Sequence, residues 1–210
     1  MAKASIKVEE GARDLAARDP VMARMVEDWG PAELRRARPT RQYFADLARM
    51  ITYQQLAGRA ASAIHGRFAA LFDDGATPAA VLALPVETLR SVGLSGSKAA
   101  SIRDLAEKVE SGAVELDRMN RLPDNEVVRE LTLVRGIGEW TAHMFLMFEL
   151  GRLDIWPVLD FGVRNGYAHL YGLDPMPTAK ELEPLGERFR PYRSLAAWYC
   201  WRAVETVTPG

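Results

Sequence analysis

Hydrophobic residues recur at intervals of three and four along most of the chain. In residues 41–72 they fall at Phe44, Leu47, Ile51, Leu56, Ile64, Phe68 and Leu71. This spacing is typical of the apolar face of an α-helix and differs from the alternation expected of a half-buried strand. Similar patterns, broken by glycine and proline, continue through residues 73–112, 123–150 and 160–205. The sequence therefore predicts an all-α protein with nine or more helices.

The composition is that of an ordinary globular protein. The chain has 210 residues, of which 48% are hydrophobic and 26% charged, enough for one large domain or two small ones that share a core. Its single cysteine, Cys200, excludes an internal disulfide and a cysteine-ligated iron–sulfur cluster, because each needs several thiols. The histidines His65, His143 and His169 lack the spacing of a zinc site. These features fit a reducing cytoplasm.

Charge and hydropathy limit the partners that the chain is expected to have. No apolar run approaches the roughly 20 residues of a membrane span, and the N-terminus lacks the apolar core of a signal peptide, so we expect no membrane contact. A net charge of −1 gives no global attraction to nucleic acid, so binding of phosphates must come from local arrangement. The segment 31–41 is predicted to be solvated, and its Arg35, Arg36 and Arg38 are candidates for added nucleic-acid affinity.

A glycine turn interrupts the helical pattern in LVRGIGEWTAHMFL, residues 133–146. Gly136 and Gly138 flank Ile137, although each glycine inside a helix costs about 1 kcal/mol relative to alanine. Such a turn between two helices lets the backbone approach another molecule closely and exposes N–H groups at the start of the second helix. It predicts a phosphate-binding hairpin that needs no lysine. A tight turn that only packs two helices is the alternative.

A second turn, SVGLSGSKAASI at residues 91–102, repeats this arrangement more loosely. We interpret it as a turn of related geometry and not as proof of duplication. Lys98 and the N–H groups near residues 95–97 are candidates to hold a second phosphate, and a solvated lysine fits the pattern equally well.

Several motifs together carry a family resemblance. ITYQQLAGRAA, GLSGSKAASIRDLA, GIGEWTA and RPYRSLAAWYCW occur in this order, and Asp160 follows Gly138 by 22 residues. This array resembles the helix–hairpin–helix DNA glycosylase superfamily and, within it, the 3-methyladenine DNA glycosylase II group, the AlkA type. The resemblance runs from about residue 41 to 202. The chain departs from the larger members at its front, where about 40 residues are too few for their additional N-terminal domain.

The resemblance implies two helical subdomains that flank a DNA-binding cleft. Residues 1–40 are expected to pack on the core as an N-terminal segment. Residues 41–158 are expected to form a helical barrel subdomain with the helix–hairpin–helix at about 123–150. Residues 159–210, with the N-terminal segment, are expected to complete the cleft.

The resemblance also implies the chemistry. Bifunctional members carry a lysine nucleophile two residues after the second hairpin glycine, where this chain has Trp140, so we expect hydrolysis of the N-glycosidic bond without strand cleavage. Asp160 is the candidate catalytic carboxylate, which would stabilise positive charge as the base leaves. By sequence position alone a helix N-cap is the favoured interpretation, and the hairpin context of the family favours the catalytic one. Arg164, one turn on, is a candidate partner for Asp160 or for DNA, or else a solvated arginine.

The substrate pocket is expected to be aromatic. Trp140 and Trp201 are candidates to attract a cationic alkylated purine, although both tryptophans could instead fill core. Met144 stands where the AlkA type tends to carry a tyrosine, which is expected to widen or soften the pocket.

The remaining candidates concern DNA. Leu56 matches the intercalating leucine of the family, with Gln55 beside it to bond the orphaned base, although a leucine in a helical pattern is ordinarily core. Gly136, Gly138 and Thr141 are expected to bind DNA at the hairpin. The resemblance further implies a structural Na⁺ or K⁺ held by main-chain carbonyls, those of Thr132, Val134 and Ile137.

The sequence thus predicts a monofunctional DNA glycosylase that flips and excises alkylated purines, of the 3-methyladenine and 7-methylguanine type, in base excision repair. Its partner is double-stranded DNA, it requires no cofactor and no iron–sulfur cluster, and it is expected to be a monomer in the cytoplasm, associated with a bacterial nucleoid. Two alternatives stay open: a helix–hairpin–helix module that binds DNA without catalysis, and a glycosylase for another damaged base.

Overall fold

The computed structural model describes residues 2–34 and 37–205, with side chains from Lys7 onward. Arg35 and Arg36, two of the arginines considered for nucleic-acid affinity, lie outside the described residues. In the described part all regular structure is helical, which confirms the all-α prediction. No helix of that part is long and apolar enough to cross a bilayer.

Twelve α-helices are present in the described residues. They are α1 (Ala2–Arg18), α2 (Pro20–Trp29), α3 (Tyr43–Tyr53), α4 (Gly58–Ala69), α5 (Pro78–Leu82), α6 (Val86–Ser91), α7 (Gly96–Glu110), α8 (Asp124–Leu131), α9 (Glu139–Phe148), α10 (Phe161–Tyr171), α11 (Ala179–Leu185) and α12 (Arg193–Glu205). Short 3-10 helices cover Thr40–Gln42, Leu116–Arg121 and Glu187–Phe189.

The helices form two compact units. The continuous unit is Arg38–Phe145, and the discontinuous unit joins the chain up to Ala37 with the chain from Leu146 onward. The boundary therefore lies at Phe145 and not at residue 158, where the sequence suggested it.

Long-range hydrogen bonds explain this boundary. The Ser194 hydroxyl of α12 accepts from the Ile155 N–H at 2.9 Å and donates to the Arg152 carbonyl at 2.8 Å. The Trp156 indole donates to the Leu182 carbonyl at 3.0 Å. These bonds fix residues 152–156 to the C-terminal helices, and no local pattern in the sequence signals them.

Helix α12 is the centre of the discontinuous unit, with its residues from Ser194 to Cys200 buried. It packs against α10 at Gly166, where an ideal Cβ would lie only 1.9 Å from the Cys200 carbonyl oxygen. Only glycine allows this approach of two helix backbones. The N-terminal segment is held to the same unit by Asp19, which caps α2 and accepts a hydrogen bond from the Tyr171 hydroxyl at 3.0 Å.

The core of the continuous unit is formed mainly by α3 and α7. Leu47 and Ile51 of α3 and Ile102 and Leu105 of α7 are fully buried, as the periodic pattern predicts. Burial of such a side chain stabilises the fold by about 1.5–3 kcal/mol. Helix α7 also contacts the loop that follows α3 and the glycine turn between α8 and α9.

Candidate functional site

The glycine turn lies between α8 and α9 in the continuous unit, as the helix–hairpin–helix prediction requires, and its two glycines have different reasons to be there. Gly136 has a φ of +77°, and an ideal Cβ on it would lie 2.6 Å from the Ser101 hydroxyl oxygen. Gly138 is not among the residues with positive φ, and a Cβ there would meet no atom within 4 Å. Packing therefore requires glycine at Gly136 only, and the space beside Gly138 is open to another molecule.

The N–H groups at the start of α9 follow directly after this turn. The first N–H groups of any α-helix have no partner within the helix, so they are available to an anion. Thr141, predicted to bind DNA, is 3% exposed, and its hydroxyl accepts from the Gln54 amide at 3.3 Å. Its side chain therefore supports the turn, and only its main chain remains a candidate contact.

Helix α7 binds the main chain of the glycine turn. The Asp104 carboxylate accepts from the Arg135 N–H at 2.7 Å and also pairs with the Lys108 ammonium. Burial alone would raise the pKa of Asp104, but the hydrogen bonds from Lys108 and from the Arg135 N–H outweigh it and lower the pKa. The carboxylate that fixes the turn is therefore ionised at neutral pH.

The loop between α3 and α4 carries Gln55 and Leu56. Leu56 is 39% exposed, which disfavours the core alternative and keeps the wedge prediction open. Gln55 is exposed and has a φ of +55°, in the left-handed region that residues other than glycine rarely adopt. Such a conformation persists where the surrounding structure imposes it.

Lys98 occupies a different place from the one expected. Its ammonium donates to the carbonyls of Thr52 and Gln54, each at 2.7 Å, so it satisfies carbonyls at the C-terminal end of α3. Burial lowers the pKa of Lys98. Carbonyl groups left over at a helix end attract a cation that lies near them, which explains these contacts. The phosphate contact expected of Lys98 stays a prediction.

The turn also contains the carbonyls considered for a monovalent cation. Val134 and Ile137 are buried and Thr132 is exposed, and the Val134 carbonyl accepts from the Ile137 N–H at 3.1 Å. A carbonyl oxygen has two lone pairs, so this bond leaves capacity for a cation. In the described part of the chain no group of three or more His, Cys, Asp or Glu side chains is arranged to hold a metal.

Asp160 begins α10 in the discontinuous unit. It is the N-cap: its Oδ1 accepts from the Val163 N–H at 2.8 Å. The same oxygen accepts from the Trp201 indole N–H at 2.9 Å. The cap alternative raised by the sequence is therefore realised. Because a carboxylate offers about four acceptor positions, capping is compatible with a catalytic role.

The contact between Trp201 and Asp160 depends on a residue that the sequence reasoning missed. An ideal Cβ on Gly162 would lie 2.8 Å from Cδ1 of Trp201 and 3.1 Å from Oδ1 of Asp160. Any larger residue would push the indole away from the carboxylate. A glycine in the first turn of a helix costs stability, and that cost was the available signal.

The three candidates for the substrate pocket differ in exposure. Trp201 is half-buried and stacks on Phe148, with ring centroids 5.9 Å apart and an interplanar angle of 23°. Trp140, at the start of α9, is 41% exposed, so it does not fill core. Met144, one turn later, is 8% exposed.

Large apolar side chains flank Asp160. Leu159 is 49% exposed and Phe161 is 63% exposed, an unusual exposure on both sides of one carboxylate. The guanidinium of Arg164, a candidate partner for Asp160 or for DNA, donates to the Pro177 carbonyl at 3.4 Å. Arg164 is thereby held against the loop after α10.

Comparisons with known proteins agree with these features. Residues 48–191 match the family model described as HhH-GPD superfamily base excision DNA repair protein. The chain is 34% identical over 191 residues to DNA-3-methyladenine glycosylase 1 of Schizosaccharomyces pombe, covering 90% of this chain and 84% of that protein. It is 30% identical to a second protein of that organism, the alkylbase DNA glycosidase-like protein mag2, over 90% of this chain and 91% of the relative.

Solved structures give the same result. The S. pombe 3-methyladenine DNA glycosylase (Mag1), in complex with abasic DNA, superposes with a TM-score of 0.82 at 33% identity and covers 92% of this chain and 95% of that one. The DNA-3-methyladenine glycosidase of Bacillus halodurans also has a TM-score of 0.82, at 36% identity, covering 94% and 90% of the two chains. The chain therefore belongs to the HhH-GPD superfamily of base excision DNA repair proteins.

Proposed function

We propose that this protein is a monofunctional DNA glycosylase that extrudes alkylated purines from double-stranded DNA and hydrolyses their N-glycosidic bond in base excision repair. The observation that carries the proposal is the Asp160 carboxylate, oriented by the Val163 N–H and the Trp201 indole N–H. The glycosylase names of the relatives support the reaction class and the substrate class.

The reaction is a hydrolysis at C1′ of the extruded nucleotide. The bond between C1′ and the base nitrogen breaks, and its electron pair neutralises the positive charge of the alkylated base. The sugar develops positive charge, which the Asp160 carboxylate stabilises. Water adds its oxygen to C1′ and loses a proton, which the Asp160 carboxylate accepts. The products are a free base and an abasic site.

Trp140 limits the reaction to hydrolysis. An indole has no basic amine, so it forms no Schiff base with the sugar, and strand cleavage by that route is not expected. Its exposed ring is instead a candidate surface for stacking on DNA bases.

Trp201 suits a cationic base. The face of an indole attracts positive charge, an effect worth about 0.5–2 kcal/mol. Phe148 stacks on the indole, and the hydrogen bond from Nε1 to Asp160 fixes the ring. The indole and the carboxylate are therefore oriented by one and the same contact. A purine that already carries charge is also a good leaving group, so no separate acid is required.

DNA binding is assigned to the hairpin. N–H groups at the start of α9 would hold a phosphate beside Gly138, and Leu56 would enter the gap left by the extruded base. A Na⁺ or K⁺ at the carbonyls of Thr132, Val134 and Ile137 would add positive charge near that phosphate. The enzyme needs no cofactor or iron–sulfur cluster for this chemistry, and we propose that it acts as a monomer on the bacterial nucleoid.

One incubation tests the reaction. The full chain is mixed with methylated duplex DNA, and the released bases are separated by chromatography. We expect free 3-methyladenine and 7-methylguanine and a strand that breaks only after alkali. Asp160→Asn, which preserves the helix cap, is the matched variant and should release both bases about 10²–10³-fold more slowly.

Other results would redirect the proposal. Binding of DNA without release of any base would favour the non-catalytic helix–hairpin–helix module. Release of uncharged damaged bases in place of methylated purines would indicate a glycosylase for another lesion. Nicking without alkali would refute the monofunctional mechanism.

A further inference from the structure

The side chain of Gln54 connects two loops of the continuous unit that are far apart in sequence. Its amide nitrogen donates to the Gly136 carbonyl at 2.9 Å and to the Thr141 hydroxyl at 3.3 Å. These partners lie 82 and 87 residues further along the chain. A primary amide has two N–H donors, one for each of these acceptors. Gln54 therefore holds the start of α9 and the turn before it.

The main chain of Gln54 is held as well. Its carbonyl accepts from the Lys98 ammonium, which also binds the Thr52 carbonyl, so the chain is fixed on leaving α3. The next residue is Gln55 with its left-handed backbone, and then the exposed Leu56. The two anchors at Gln54 immediately precede this constrained conformation and supply the surroundings that impose it.

One face of α7 supports both loops. Lys98, Ser101 and Asp104 follow one another at intervals of three, so they share a face of the helix. Lys98 binds the loop before Leu56, Ser101 lies against Gly136, and Asp104 binds the Arg135 N–H. Gln54 closes this arrangement by joining the two loops directly.

We propose that Gln54 is a positioning residue for base extrusion, which couples the loop that carries Leu56 to the phosphate-binding turn. The inference rests on the proposed function, because it assumes that Leu56 enters the duplex while the turn holds a phosphate. Extrusion requires that the wedge contact of Leu56 and the phosphate contact of the turn lie at a fixed distance from each other. The hydrogen bonds of the Gln54 amide set this distance, so a phosphate held at the turn determines how far Leu56 enters the base stack.

The test uses substitutions that keep the size of the side chain. Gln54→Met removes the two donors, and Gln54→Glu replaces them with acceptors that face a carbonyl oxygen. Thr141→Val removes one of the two acceptors and serves as a second variant if Gln54 variants fail to fold. Gln42→Met is the matched control, since Gln42 is an exposed glutamine in a short 3-10 helix that the proposal does not use.

Three measurements distinguish a role of Gln54 in positioning Leu56 from a general contribution to the fold. The first is affinity for an undamaged duplex. The second is the fluorescence of 2-aminopurine placed next to the lesion, which rises when the stack opens. The third is the single-turnover rate for 7-methylguanine opposite cytosine and opposite an abasic analogue, where the stack is already open and extrusion is easier.

We expect Gln54→Met to bind undamaged DNA within about twofold of the parent, since a rigid turn still holds the phosphate. The 2-aminopurine signal and the excision rate opposite cytosine should fall about tenfold, the effect of losing hydrogen bonds of ordinary strength. The defect should shrink opposite the abasic analogue. Thr141→Val should show a smaller defect of the same kind that does not add to that of Gln54→Met.

The proposal is overturned if folded Gln54→Met opens the stack and excises as the parent does. It is also overturned if affinity and both excision rates fall by one common factor, which would indicate general support of the fold. The proposed function fails separately: a parent that opens the stack but releases no base would refute the glycosylase activity while leaving the coupling measurable by fluorescence.

Discussion

Replacing Gly138 with alanine adds one methyl group where the structure has open space. An ideal Cβ there meets no atom within 4 Å, and the backbone of Gly138 is outside the positive-φ region. A glycine-to-alanine change at such a position restricts the unfolded chain and stabilises a protein by about 0.4–1 kcal/mol. Gly138→Ala should therefore fold and melt at or slightly above the temperature of the parent.

The same methyl group occupies the space that a phosphate needs. If the phosphate loses one charge-assisted hydrogen bond from an N–H group, the loss is about 1.5 kcal/mol. Because about 1.4 kcal/mol corresponds to a factor of ten, affinity for DNA should fall about tenfold. The turn reads no bases, so the fall should be equal for damaged and undamaged duplexes.

Gly136→Ala is the matched control, and it should destabilise the fold where Gly138→Ala does not. Its φ of +77° would place alanine in the left-handed region at a cost of about 1–2 kcal/mol. The added Cβ would also lie 2.6 Å from the Ser101 hydroxyl oxygen. We expect a clear drop in melting temperature for this variant.

The assay is fluorescence anisotropy with an abasic-analogue duplex and an undamaged duplex of the same sequence, together with thermal melting followed by circular dichroism. A folded Gly138→Ala protein that binds both duplexes as tightly as the parent would refute the reasoning. The turn would then serve only to pack α8 against α9, the alternative that the sequence left open.

Four further results are expected. Asp160→Asn should reduce excision about 10²–10³-fold yet keep affinity for abasic DNA and a near-parental melting temperature, because asparagine also caps a helix; unchanged excision would remove Asp160 from the mechanism. Trp201→Phe keeps an aromatic ring but loses the hydrogen bond to Asp160, so single-turnover excision should slow about tenfold while DNA affinity is retained. The pKa of Asp104 is lowered in the folded state, so its stabilisation is present above its unfolded pKa of about 4 and is lost as pH falls through the folded value; Asp104→Asn should abolish this part of the acid sensitivity in a melting series. A salt series should give a log–log slope for DNA affinity shallower than that of a binder with many lysine contacts, which changes by about −0.9 per neutralised phosphate.

Local pattern was enough to predict the helical class, the hairpin and the start of a helix at Asp160. Intervals of three and four encode an apolar helical face within a few turns, and Leu47, Ile51, Ile102 and Leu105 are buried accordingly. The order of the motifs along the chain indicated the family, which the family model and the relatives confirm. The roles predicted for Asp160 and the aromatic residues stay predictions.

Only the tertiary structure distinguished residues that look alike in the sequence. Gly136 must be glycine because of its positive φ and its contact with Ser101, whereas Gly138 has open space beside it. Gln54 joins two loops by hydrogen bonds, whereas its neighbour Gln55 is exposed. Each distinction depends on a contact with an element far away in the chain. Periodicity records which side of a helix is buried, but not which partner the packing brings against it, so these assignments required the folded chain.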